Sequence, residues 1–405
     1  MMRSVSRLLR VQDGLHADPC HTPGAVWTCV WTLSVALSIG SPVAAQQVRG
    51  LDVYGDFRIR LESDWGAHES DGDDLEGRTR ARVRARLGAS YSPDDHFTLG
   101  LRVRSGLIEG QQVANITIYD FDGNNTGDAD FIFDKWYLEY KVAGLSAWIG
   151  RNSVPYWKQN QLYWDDDVIP VGVGANYGAD LGGGNVQLNG GLFSLPAGMQ
   201  AFSGRLVLGQ LVYEHAIAGV NLTAAGAVLA VAADRDDPDR LIFLDENGDR
   251  DYTTWQVSLQ ARSDKWKVPL RVGLDLAMNS RSYDDAPLGS FTEFHSDQNV
   301  GYVLSAVVGD VKEAGDWQVG YSWAYIQMLA MNNSFAQDDW VRWGTAEQVR
   351  DSNFKGHEFF GVIGLPARFS AVAHLFIVNG ITLRSPTSTQ LEDGNRVRVD
   401  LNYSF

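Results

Sequence analysis

The sequence predicts an all-β fold: a closed antiparallel transmembrane β-barrel of about sixteen strands, within roughly fourteen to eighteen. Three observations carry that expectation. Apolar and polar side chains alternate with period two along most of the chain after residue 46. Acidic, Gly- and Asn-rich breaks recur every ~20 residues or so, the length of one strand and its connection. The last strand ends the chain on an aromatic, Phe405, preceded at spacing two by Tyr403, Leu401, Val399 and Val397.

Residues 1–45 have the layout of a secretory signal peptide. Arg3, Arg7 and Arg10 give a basic start, residues 25–40 are an apolar run, and SPVAAQQ (41–47) supplies the small residues of a cut after Ala45. The apolar run is too short to span a bilayer. Both cysteines, Cys20 and Cys29, precede the cut. Residues 46–405 therefore hold no disulfide and no thiolate metal site. They show no linker or shift in composition, and one barrel domain is expected over 46–405.

The alternation is plain in LDVYGDFRIRL (51–61), where Leu51, Val53, Phe57, Ile59 and Leu61 share one face. It returns in TLGLRVRSGL (98–107), DWQVGYSWAY (316–325) and RVRVDLNYSF (396–405). Helical stripes are hard to find, and no second long apolar run follows the first. Trp136, Tyr140, Trp148, Trp255, Trp317, Trp323 and Tyr403 fall on or near outward faces, as aromatic girdles would. The net charge of -16 over 405 residues argues against general nucleic-acid binding.

RTRARVRARL (78–87) places Arg78, Arg80, Arg82, Arg84 and Arg86 on one face. In a membrane barrel the apolar face meets lipid and the charged face lines a hydrated interior. Backbone groups cannot go unpaired in hydrocarbon, so the sheet must close and the last strand pairs with the first. Arg396 and Arg398 would then stand beside Arg58 and Arg60. Those neighbour Arg78–Arg86, and Arg102 and Arg104 come next, giving one basic interior wall. Like charges so dense need water, counter-ions or facing carboxylates. Asp52, Asp56, Glu62, Glu139 and Asp400 are candidates on the strands. The same arginines could instead form ion pairs that fill and rigidify the interior.

YGDFRIRLE (54–62), RTRARVRARLGASYSPDDHFTLGLRVRSG (78–106) and FDKWYLEYKVAGLSAWIGRNSVPYW (133–157) resemble the bacterial putative porin family and, more distantly, alginate-export barrels. The resemblance implies a large barrel in the outer membrane of a Gram-negative bacterium, for passive passage of solutes. It brings no catalytic residues and no cofactor.

The stretch 152–170 is the candidate constriction loop, with Trp157, Tyr163, Trp164, Asp165, Asp166 and Asp167. Long loops in compact folds are commonly functional. Folded inward, it would set Asp165–Asp167 against the basic wall; folded outward, it would meet only solvent or lipopolysaccharide. Tyr403 and Phe405 are read as the C-terminal signal for the outer-membrane assembly machinery. Lipid, lipopolysaccharide and small solutes are the other expected partners, and a homotrimer is compatible with this reading.

Other motifs carry less. DFDGNNTGD (120–128) and DENGDRD (245–251) echo a calcium loop but lack its closing Glu, so no metal is expected. GVGANYGADLGGG (172–184) has no properly spaced GxGxxG. No G-x-S-x-G occurs, and His295 and His374 have no nucleophile or acid partner at a telling spacing. The expected function is passive diffusion of small hydrophilic, charged solutes through a water-filled pore. The alternative is a channel selective for an anionic polysaccharide or carboxylates.

Overall fold

The computed structural model describes residues 49–106, 114–127, 129–197, 200–233, 251–340 and 352–405. The leader expected at 1–45, with Cys20 and Cys29, lies outside them, as do Asp128 and residues 245–250 of the second acidic turn.

Alternating sequence becomes strand almost throughout. The strands are β1 (Leu51–His68), β2 (Asp74–Leu75), β3 (Arg78–Tyr91), β4 (Phe97–Gly106), β5 (Ile116–Asp120) and β6 (Asp130–Val142). Next come β7 (Leu145–Arg151), β8 (Val171–Leu181), β9 (Gly184–Ala197), β10 (Gln200–Ile217), β11 (Val220–Ala233) and β12 (Tyr252–Ser263). The rest are β13 (Leu270–Asn279), β14 (Val300–Gly309), β15 (Trp317–Ile326), β16 (Phe354–Gly364), β17 (Phe369–Gly380) and β18 (Asp393–Ser404). One helical turn, α1 (Phe291–Phe294), interrupts the connection before β14.

Sixteen long strands form a closed antiparallel ladder, because two of the eighteen, β2 and β5, are short side branches. β1 pairs with β3, β3 with β4 and β4 with β6; each later strand then pairs with the next. β18 returns to β1, with Phe57 opposite Tyr403 and Leu61 opposite Val399. The closure runs to the end of the chain. Gly55 and Phe405 exchange both backbone hydrogen bonds, each 3.1 Å. Among the described residues, each long strand is paired on both sides, so hydrocarbon meets no open edge there.

The two rims differ. At one rim lie both ends of the described chain and short turns. Ala143–Gly144, Gly182–Gly183 and Ala218–Gly219 are two-residue hairpins with positive φ at both positions, from 45° to 90°. That geometry matches strand twist and suits glycine. At the other rim the connections are mostly long, among them 152–170, 280–299 and 327–353.

Large apolar side chains stand exposed on the outer face. Val53, Leu99, Ile149, Leu188 and Trp255 are each more than half exposed. So much apolar surface is a liability in water and a requirement in lipid. Outward aromatics gather at strand ends, as with Tyr91, Trp317 and Phe369 at the short-turn rim. Trp148 departs from the expected outward face. It lies inside, 6% exposed and stacked on Phe193 at 5.6 Å. Its cross-strand partner Glu139 faces inward, so the register carries Trp148 inward with it.

The interior departs from a uniformly polar lining. Toward the long-loop rim, inward Phe193, Leu195, Leu206, Leu208, Val231 and Tyr252 form a dry cluster with Trp164, Val168 and Phe335. A second cluster joins Val303, Ala324, Ile326, Phe354 and Phe376 to Leu162, Met331 and Trp340. Residues 152–170 and 327–340 thus pack inside the barrel, where their apolar side chains bury against the wall.

Candidate functional site

The inward arginines of β1, β3, β4 and β18 form one patch, because these strands are neighbours in the closed ladder. Register decides who faces whom. On β18, Arg396 stands opposite Asp64, Arg398 opposite Glu62, Asp400 opposite Arg60 and Asn402 opposite Arg58. The β18 arginines therefore face acids of β1, not Arg58 and Arg60 as the bare closure argument expects. Across β1 and β3 the like charges do face each other, as Arg58 with Arg84 and Arg60 with Arg82. Arg86 likewise faces Arg104. Such pairs repel and require carboxylates between them.

Those carboxylates are present. Arg60 donates to both oxygens of Asp400 at 2.8 and 2.9 Å. Arg102 does the same to Asp134 at 3.0 and 2.6 Å. Arg396 Nε donates to Asp64 at 2.5 Å. Arg80 and Arg82 share Glu62, and Arg78 binds Asp120 at 2.6 Å. Forked contacts of this kind are the strong form of guanidinium–carboxylate pairing. Of the carboxylates expected to face the wall, Asp56, Glu62 and Asp400 do so. Glu139 instead accepts from Ser146 and pairs with Lys141. Asp52 is exposed near the start of β1.

Toward the short-turn rim compensation thins. Arg84 and Arg86 both depend on Asp56, at 2.9 and 2.6 Å. Arg58 donates to the neutral Asn402 at 2.7 Å and reaches Asp400 only at 3.4 Å. These three arginines, with Arg102, Tyr54, Asp56 and Asn402, line a recess of about 370 Å³.

Two loops bring further acids to the wall. In 152–170, Asp167 lies 3.4 Å from Arg86 and 4.0 Å from Arg104. Asp166 points away, exposed, to Lys158 at 2.7 Å. Asp165 is buried, 5% exposed, and accepts from the Asp167 N–H at 2.7 Å. Burial, then the charges of Asp167 and Asp338, push its carboxyl well above the usual range. Trp157 is fixed through its backbone: its N–H donates to Gln210 Oε1 at 2.8 Å, and its C=O accepts from Gln210 Nε2 at 2.7 Å. Tyr163 and Trp164 are buried, and the Trp164 ring lies 5.4 Å from Phe335. At the far wall Gln159 and Asn160 donate to Asp275 at 3.0 and 2.7 Å. The loop thus extends from the arginine strands to β10, β12 and β13.

The segment 327–340 brings acids that sequence reasoning missed. Asp339 pairs with Arg60 at 3.6 Å and with Arg398, and the Asp338 and Asp339 carbonyls accept from Arg396 at 3.3 and 2.8 Å. Burial acts to raise the Asp339 carboxyl, but Arg398 and Arg60 hold it well below its ordinary value. Asp134, Asp64 and Asp120 were also missed as wall partners. For Asp134 the signal is a break in alternation: a register shift opposite Arg102 and Val103 turns it inward. For 327–340 the signal is the apolar AYIQMLAM (324–331) running past the end of a strand.

His374 also faces inward, its Nδ1 2.8 Å from Glu358 Oε1.

Comparison with known proteins agrees with this geometry. Residues 71–203 match the model of the family described as putative porin. No curated protein matches. The structure of OprB from Pseudomonas putida at high pH is similar over 88% of this chain and 94% of that one, with 13% identity and a TM-score of 0.52. Its low-pH structure gives 88%, 93%, 10% and 0.51. The anion-selective porin of Comamonas acidovorans covers 88% and 99%, at 13% identity and a TM-score of 0.48. At these identities OprB bears on the fold alone, and the fold is the closed porin-type barrel. Over residues 71–203 the chain is thus similar to the family described as putative porin, and it carries that similarity on a porin-type barrel.

Proposed function

We propose that the protein is an outer-membrane porin for passive diffusion of small hydrophilic solutes, with a preference for anions. One observation carries the reading: arginines crowd the inner face of a closed barrel whose outer face is apolar. A lipid-facing band and an ionic interior are what a water-filled channel requires. The basic wall (Arg58, Arg60, Arg78, Arg80, Arg82, Arg84, Arg86, Arg102, Arg104, Arg396, Arg398) lines the path, and the loop 152–170 narrows it. Asp167 and Asp339 set a transverse field across that wall. Export through the leader, cut after Ala45, is part of the same proposal. So is recognition of the Tyr403–Phe405 strand end during assembly.

The test is conductance of the purified protein in a planar bilayer under a salt gradient. Stable open steps with an anion-directed reversal potential are expected. Arg82→Ala with Arg84→Ala should shift that potential toward cations and leave the barrel folded. Glu62 keeps Arg80, and Asp56 keeps Arg86. A double variant that fails to assemble, beside wild type with no ion preference, would make the arginines a structural filling.

A further inference from the structure

The recess at the short-turn end of the arginine wall differs chemically from the rest of the wall. Higher up, each guanidinium is engaged by carboxylates or by loop carbonyls. Here Arg84 and Arg86 lean on the single carboxylate of Asp56 and Arg58 on neutral Asn402, while Asp400 and Asp167 are shared with Arg60 and Arg104. Both terminal nitrogens of Arg58, Nη1 of Arg84 and Nη2 of Arg86 have no acceptor among the described residues. A carboxylate entering the recess would meet donors held in place by Asp56 and Asn402, whose fork geometry matches it.

The recess also has an apolar wall. Tyr54 faces inward on β1, opposite Gly88. A β-carbon at Gly88 would run into the Tyr54 ring, so that ring lies across the bare backbone of β3. Tyr137 covers Gly100 on β4 in the same way. Glycine at these two positions leaves room for the phenol end of each ring against the barrel wall. Gly88 in turn stands opposite Arg102, so the ring of Tyr54 and the guanidiniums share one surface. A ring laid on the wall has its second face toward the interior, where a planar apolar group can stack.

We infer that this recess is a subsite for small aromatic carboxylates: the arginines Arg58, Arg84 and Arg86 take the carboxylate, and Tyr54 takes the ring. The inference rests on the channel reading for its physiological meaning, but binding can be measured without conduction. The experiment is calorimetric titration of the purified protein in detergent with sodium benzoate, sodium acetate and inorganic phosphate. Block of chloride current by the same three anions is measured in parallel. Benzoate should bind about five-fold more tightly than acetate, the factor one aromatic contact supplies. Tyr54→Leu, which keeps apolar bulk at a rim position, should bring benzoate down to acetate. Arg84→Gln should weaken both carboxylates.

Equal affinity for benzoate and acetate, or a Tyr54→Leu variant that keeps the difference, overturns the inference. So does phosphate binding more tightly than benzoate, which would make the recess a general anion site. Benzoate binding that depends on Tyr54 in a protein with no conductance would keep the subsite and remove the channel. Conductance without the benzoate preference would do the reverse.

Discussion

Asp165 is one of the residues at which the two inward loops meet. Its N–H donates to the Phe335 carbonyl at 2.8 Å, and its carboxyl lies near Asp167 and Asp338. Its pKa in the folded protein is raised above the unfolded value, by burial first and then by those two charges. The stabilisation it gives is therefore complete below the ordinary carboxylate range and is lost as pH rises through the folded value. Asp339 has the opposite sense. Its depressed pKa gives stability that is present above the unfolded value and lost only in strong acid. Loop seating should thus loosen on the alkaline side. Conductance of the wild type should rise between about pH 4 and pH 9, a range wide enough to cover a raised carboxyl. Asp165→Asn, uncharged throughout, should flatten that rise. A variant as pH-dependent as wild type would put the control elsewhere. The arginines make a related point at this scale. Their spacing was legible as a wall, because period two is a property of the chain. Which carboxylate each one meets was not, because that depends on register between strands hundreds of residues apart.

At the scale of elements, the loop 152–170 behaves as a fixed strap. Gln210 holds the Trp157 backbone by two hydrogen bonds, and Asn189 Nδ2 donates to the same Gln210 Oε1 at 2.8 Å. Gln210→Leu removes both bonds and leaves a backbone N–H and C=O to find water. A loss of about 1–3 kcal/mol in seating the loop is expected. The readout is larger and noisier open-channel current, with the barrel's heat-modifiable mobility on gels unchanged. Unaltered current would make the strap irrelevant to the path. The loop's length and aromatic content marked it in the sequence, and Asp167 does approach the wall. Asp166 does not, since alternate residues of an irregular segment need not share a face. The partner segment 327–340 was not seen. Its apolar residues continue a strand pattern, and only burial against the first loop distinguishes them from a longer strand.

At the scale of the molecule, closure is the governing event. β18 reaches β1 along its length, and Phe405, just past its end, adds the paired Gly55–Phe405 hydrogen bonds. A β-carbon at Gly55 would also meet the Phe405 ring, so this seam is packed as well as bonded. Deleting Phe405 removes that final pair and one lipid-facing aromatic. The expected outcome is slower assembly and a lower yield of heat-modifiable barrel, with an unchanged pore in the fraction that forms. Normal assembly kinetics of the shortened chain would show that Tyr403 and the residues before it suffice.

Strand count, alternation and the apolar outer band were determined by the sequence alone, because local periodicity and turn chemistry act within about twenty residues. The basic character of one wall followed once closure was required, since hydrocarbon tolerates no open edge. Only the tertiary structure decided that Arg396 and Arg398 face Asp64 and Glu62, that Trp148 turns inward, and that a second segment packs inside the barrel beside the first. Each of these rests on register or on packing between distant segments. A shift of one residue there exchanges inside for outside without altering any local pattern.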